Sequence, residues 1–179
     1  MSLQLEESLR NDSVYDIARK MLTAARTAPK ARGKDNLVMA IIGKEEIDKI
    51  SEKIKQLNER EPLPAFFLRD AENILSAEYI VLIGTKIRSM GVDTCGLCGF
   101  KDCEEKNQHP NHPCAFNTSD LGIAVGSAVS IATDNRVDNR IMFTVGYAAV
   151  RLNMLGEEVN IAFGIPLSAT GKNPFFDRK

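Results

Sequence analysis

The chain has 179 residues, 44% hydrophobic and 26% charged, with no tryptophan and a net charge of −1. That is the make-up of an ordinary globular protein, long enough to bury a core without disulfides. Acidic and basic residues are interspersed, so the basic excess of a dedicated nucleic-acid binder is missing. No stretch approaches the roughly 18 uninterrupted apolar residues of a membrane helix. The start, Met1-Ser2-Leu3-Gln4, lacks the pattern of a secretory signal. The expectation is one cytoplasmic domain over residues 1–179, with no membrane and no nucleic-acid partner.

In chain order, residues 11–27 predict a helix, because Val14, Ile17, Ala18, Met21, Leu22 and Ala25 fall on one face. Asp12 or Ser13 is the candidate cap, and Pro29 ends the helix. After a basic link, residues 37–42 (LVMAII) form an apolar run bounded by Gly43, read as a buried strand. Residues 44–60 predict a second amphipathic helix with Ile47, Ile50, Ile54 and Leu57 on its seam, ended by Pro62 and Pro64. A helical turn is expected at 70–75 and a buried strand at 78–84. Ser119 or Asp120 is read as the cap of a helix running to about Thr133, with Gly122, Ala124, Gly126 and Ala128 suited to close packing. Asp138 or Asn139 is read as the cap of another helix through Leu152, and residues 159–166 as a third strand. The order implies helices covering a sheet, an α+β or α/β sandwich.

Between strand and helix lie all four cysteines, Cys95, Cys98, Cys103 and Cys114, spaced Cys-x2-Cys-x4-Cys-x10-Cys inside a loop at 91–117. In a reducing compartment, clustered thiols point to a metal rather than to disulfides. Gly96 and Gly99 supply the backbone freedom that wrapping a metal requires, and Pro110 and Pro113 stiffen the approach to the last ligand. Three readings compete. An iron–sulfur cluster, with 4Fe-4S favoured because the ligands come from one compact loop, leads. A structural zinc accepts the same donors, but a zinc knuckle pairs two Cys-x2-Cys units and here there is one. The third is unrelated thiols. His109 and His112 lie inside the loop, where they could substitute as ligands but are read first as exposed loop histidines, and Glu104 and Glu105 are read as solvated charges. Residues 164–172 are not a phosphate loop: the frame needs glycine at 166, which is proline, and Ser or Thr at 173, which is asparagine.

The stretch Thr94-Cys95-Gly96-Leu97-Cys98-Gly99-Phe100-Lys101-Asp102-Cys103 resembles uncharacterised prokaryotic proteins described as containing a ferredoxin domain. A second resemblance spans most of the chain. Ala24-Ala25-Arg26-Thr27-Ala28-Pro29, a polar loop, an apolar strand, and the final strand at 159–166 are similar to flavin-dependent nitroreductases. The Arg-x-Ser-x-Arg opening and the Asn-x-Gln-Pro-Trp motif of that family are not present. What the resemblance implies is a nitroreductase-like α+β sandwich, FMN at a homodimer interface, and an oxidoreductase served by a nicotinamide cofactor or a redox partner. Arg26, Lys30, Arg32, Lys172 and Arg178 are then candidate FMN contacts, because a phosphate needs cationic donors. Asn36 is a candidate for the isoalloxazine edge. Arg26, Lys30 and Arg32 also suit the negative end of the first helix, Lys172 and Arg178 also suit an ordinary solvated tail, and Asn36 also suits a turn. The cluster and flavin together imply a flavoprotein reductase or electron-transfer protein. A flavin-free iron–sulfur carrier and a zinc-stabilised interaction protein are the alternatives. No acid, base or nucleophile stands out as catalytic.

Overall fold

A computed structural model describes residues 3–176. Its centre is an antiparallel sheet of β1 (Leu37–Ile42), β2 (Tyr79–Lys86), β3 (Asp138–Asn139) and β4 (Val159–Ser168), in the order β1-β2-β4-β3. Successive residues of a strand face opposite sides, and β2 uses both. Ile80 and Leu82 join one apolar cluster, Val81 and Ile83 the other, and all four are fully buried. A strand covered on both faces reads as a continuous apolar run, as 78–84 did.

Helices fill the two outer layers. On one side lie α1 (Glu6–Thr27) and α5 (Ala115–Asp134). Ala18 and Ala25 of α1 and Ala124 and Ala128 of α5 are fully buried there, and Ser127 Oγ donates to the Ala24 carbonyl at 3.0 Å. On the other side lie α2 (Lys44–Arg60), α3 (Ala65–Asn73) and α6 (Phe143–Arg151). The seam of α2 buries Ile47, Ile50 and Ile54 there. α6 crosses β4 so closely that a Cβ on Gly146 would lie 1.8 Å from the Ala162 carbonyl oxygen, so this crossing requires glycine.

Several expectations are corrected. α1 begins at Glu6 rather than near 11, carried by the Glu6–Arg10 pair and an acidic first turn rather than by apolar spacing. The helical turn at 70–75 is the end of α3, which starts at Ala65 and continues into a 3₁₀ turn, Ile74–Ser76. Asp138 and Asn139 do not cap a helix. They pair with Ser168 and Leu167 as β3, and α6 starts five residues after Asp138. α5 starts at Ala115, ahead of Ser119 and Asp120, with Cys114 as its N-cap residue. Gly122 and Gly126 face open space, so the close packing of α5 comes from its alanines.

The C-terminal segment is held by a buried polar group. Asp70, 3% exposed, accepts from Thr144 Oγ1 at 2.9 Å and from Arg69, and lies 3.5 Å from Arg140. Arg140 in turn donates to the Phe175 carbonyl at 2.8 Å, and the Phe175 ring is fully buried.

Candidate metal centre

The cysteine loop leaves the end of the central strand β2 and returns at the start of α5, so one rigid strand and one long helix fix its ends. Asn117, 1% exposed on α5, clamps those ends together: its Oδ1 accepts from the Arg88 backbone N–H at 2.9 Å, and its Nδ2 approaches Met90 Sδ at 3.7 Å. Ser89 donates to Asn107 at 2.6 Å. Inside the loop the chain turns sharply. Thr94, Gly96 and Gly99 have φ of 53°, 60° and 86°, and Gly99 N–H bonds back to the Gly96 carbonyl at 3.0 Å. Glycine adopts this left-handed conformation at little cost, which explains both glycines beside the Cys95–Cys98 pair.

Asp102 then caps a short helix, α4 (Cys103–Asn107), accepting from the Glu105 N–H at 2.9 Å, while the Glu105 carboxylate accepts from the Lys101 N–H at 2.7 Å. Glu105 is therefore a structural part of the helix start, not merely a solvated charge; an acidic residue three positions after a capping aspartate was the available signal. Phe100 stacks on His109 with centroids 5.0 Å apart and meets His112 edge-on at 4.9 Å. Both histidines thus lie against the ring, as loop residues.

The structure brings all four cysteines to one place. Cys95, Cys98, Cys103 and Cys114 line a single cavity together with Met90, Val92 and Phe116. All four are free thiols; Cys114 is 5% exposed and the other three are half-buried. The donor set is thus right for a thiolate-bound centre. A closed zinc tetrahedron needs every sulfur about 2.3 Å from one point. Among the described residues no group of three or more His, Cys, Asp or Glu side chains is already drawn together as an ion requires. The cavity, about 10 Å³, admits roughly one water-sized sphere. The thiols must therefore draw in for a zinc or swing outward for a cluster, and the three half-exposed ones have room to move.

The candidate flavin residues are engaged with protein groups. Arg26 pairs with Asp35 at 2.6 Å and donates to the Leu37 carbonyl at 3.3 Å. Burial raises the Asp35 pKa, but the hydrogen bonds and charges from Arg26, Leu37 N–H and Lys30 outweigh it and hold the carboxyl below its ordinary value of 3.8. The Lys30 ammonium sits over the end of α1, donating to the carbonyls of Arg26, Ala28 and Ala25 at 2.6, 2.7 and 2.8 Å. Arg32, itself at φ 54°, donates to the carbonyls of Met90 at 3.1 Å and Gly91. Asn36 Nδ2 points at Met90 Sδ, 3.3 Å away. The Lys172 carbonyl accepts from Thr170 Oγ1 at 2.8 Å, and Arg178 lies outside the described residues. The cations at 26–32 thus close α1 and brace the loop. No described helix is long and apolar enough to cross a membrane.

Comparison with known proteins gives the family and the fold. The model of a family described as "Uncharacterized protein containing a ferredoxin domain (DUF2148)" matches residues 111–178. A protein of Archaeoglobus fulgidus described as "Uncharacterized protein" is 40% identical over 183 residues, covering 97% of this chain and 96% of its own. Among solved structures, a nitroreductase with bound FMN from Bacteroides fragilis superposes with a TM-score of 0.63 at 12% identity, over 92% of this chain and 81% of that one. A BluB-like flavoprotein from Clostridium difficile gives 0.54 at 18% identity, over 88% and 84%. A nitroreductase family protein from Clostridium novyi gives 0.54 at 12% identity, over 86% and 73%. With the antiparallel sheet between two helical layers, this establishes a nitroreductase-like α+β fold, and the chain belongs to the family of uncharacterised proteins containing a ferredoxin domain.

Proposed function

We propose that the protein is a redox protein whose loop thiols, Cys95, Cys98, Cys103 and Cys114, hold an iron–sulfur cluster, with 4Fe-4S favoured. The observation that carries this reading is the convergence of four free thiols on one cavity. The ferredoxin-domain family description supports it. Such a cluster, when bound, supplies one-electron transfer. The chain's own part is to hold it. Asn117 and Arg88 fix the loop ends, Gly96 and Gly99 allow the tight wrap, and Cys114 presents one thiol from the start of α5. Phe100, Phe116 and Met90 give the site an apolar wall, and solvent exclusion is one of the protein's means of setting a cluster's potential.

The experiment is anaerobic purification followed by iron, acid-labile sulfide and zinc analysis. Broad absorbance near roughly 400 nm with stoichiometric iron and sulfide bears the reading out. A colourless protein carrying one zinc overturns it in favour of a zinc-stabilised interaction protein.

A second reading, favoured by the fold, adds FMN and makes the protein a flavin-dependent reductase or electron-transfer flavoprotein acting as a cytoplasmic homodimer. Its support is the superposition on a nitroreductase with bound FMN. Against it stand the side chains of Arg26, Lys30 and Arg32, which are engaged with protein acceptors. Release of FMN on denaturation selects this reading, and its absence after reconstitution with FMN selects the flavin-free electron carrier. Sedimentation gives the oligomeric state.

A further inference from the structure

α6 is apolar on both faces. Val145, Ala148 and Ala149 are buried in the core, while Phe143, Tyr147 and Val150 fall on the opposite stripe and line a cleft against β4. No charged residue interrupts the helix before Arg151, its last residue. A surface helix normally turns a polar face to water, and one that is apolar all round is normally covered. Here the outer stripe stays open, with Phe143 47% exposed.

The cleft holds about 250 Å³, room for one small ring and its substituent. Its floor is the crossing at Gly146, where no side chain separates helix from strand. The rings of Phe143 and Tyr147 wall it from α6, and Ile161 and Phe163 from β4. Its polar groups are Arg151 and Asn160, which flank the connection 152–158 and so share one end of the cleft. The Arg151 guanidinium carbon lies 3.3 Å from the Tyr147 ring centroid, and Nη1 donates to the Tyr147 carbonyl at 3.2 Å. A guanidinium has five N–H donors in a fixed fork, and among the described residues no carboxylate pairs with this one. Glu158, at the same end, is taken by Lys86 and Arg88. Asn160 is the extra residue of a bulge: Ile161 faces Thr85 and Val159 faces Lys86, so β4 skips it. Bulges of this kind re-aim a side chain, and this one lines the cleft.

We propose that this cleft binds a small planar ring carrying an anionic group, the ring against Phe143 and Tyr147 and the anion on Arg151. Rings pack offset or edge-on against aromatic walls, and the guanidinium fork takes a carboxylate or a phosphate through two parallel hydrogen bonds. Aromatic acids and nucleotides share that chemistry. The inference does not rest on the cluster reading, since no residue of this cleft lines the thiol cavity.

The test is isothermal titration calorimetry of the full chain, purified anaerobically, at fixed ionic strength. The probes are benzoate, AMP, benzyl alcohol and acetate. Benzoate or AMP is expected to bind once per chain with a Kd of about 1 mM or tighter. Benzyl alcohol, which lacks the charge, and acetate, which lacks the ring, are expected to bind at least about tenfold more weakly. Tighter binding of benzoate assigns the aromatic acids, and tighter binding of AMP the nucleotides. Arg151→Gln should weaken the preferred probe about tenfold, the worth of a charge-assisted hydrogen bond, and Phe143→Ser should weaken it too. If Arg151→Gln does not fold, Arg151→Lys decides, because it keeps the charge and loses the fork. Failure of both benzoate and AMP to saturate, equal affinity for benzoate and benzyl alcohol, or unchanged affinity in the Arg151 variant overturns the proposal. So does a dimer, seen by sedimentation, that Phe143→Ser breaks, because a second copy then covers this face.

Discussion

Arg32 donates from Nη1 to the Met90 carbonyl oxygen at 3.1 Å, and through that bond the turn after the first helix braces the base of the cysteine loop, 58 residues further on. Met90 itself is 1% exposed, with its sulfur facing both Asn36 and Asn117. Arg32→Ala is therefore expected to act at a distance. It should cost about 1 kcal/mol of stability, the usual worth of such hydrogen bonds, and should lower metal retention per chain after desalting. Denaturant unfolding and metal analysis of the same preparation check both. Full metal retention would detach Arg32 from the loop.

Cys98→Ser is expected to abolish cluster occupancy, because it removes a donor from the tight Cys-x2-Cys turn. Iron and sulfide analysis after anaerobic reconstitution is the readout, and full iron content in the variant counts against the ligand assignment. The metal-free fold should survive, since Cys98 is half-buried in the loop and belongs to neither apolar cluster.

Gly146→Ala is expected to be among the most damaging single changes outside the loop. The new methyl would meet the Ala162 carbonyl oxygen at 1.8 Å and the Phe163 nitrogen at 2.7 Å, both backbone atoms. α6 would have to lift from β4, at a cost of about 3 kcal/mol, the upper range for overpacking. A shifted urea midpoint measures it; a variant within about 0.5 kcal/mol of wild type would refute the close crossing.

Asp35 supplies a pH dependence whose sign is fixed. Its folded pKa lies below 3.8, so its pairing with Arg26 contributes fully above that value and fades as pH falls through the lower, folded one. Asp35→Asn should therefore be less stable than wild type at neutral pH, and the gap should close in strong acid. Parallel unfolding curves from pH 7 to pH 2 read this, and a gap that widens on acidification would reverse the assignment.

Much of this was legible in the chain. Residues 37–42 and 44–60 have the predicted bounds, because an apolar run ended by glycine and a helical seam ended by proline are local signals. The convergence of the four cysteines was legible too, from their crowding into 20 residues. What escaped was whatever depended on a distant partner. Asp138 and Asn139 look like helix caps until Ser168 and Leu167 arrive beside them. The charge and clustering of Arg26, Lys30 and Arg32 are visible in sequence. The acceptors that engage them, Asp35, the last carbonyls of α1 and the carbonyls of Met90 and Gly91, are visible only once the chain has folded. The burial of Lys106 on α4 gave no signal either, since one lysine among exposed charges does not announce that its stem is covered.

Cys114 stands apart from the other three thiols. It is buried at the head of a 20-residue helix, while its companions ride on a loop with one short helix of its own. Assembly of an inorganic centre would thus proceed from an anchored post toward a closing flap. Dismantling by an oxidant or an alkylating reagent would run the other way, taking the outer sulfurs first and the helix-borne one last.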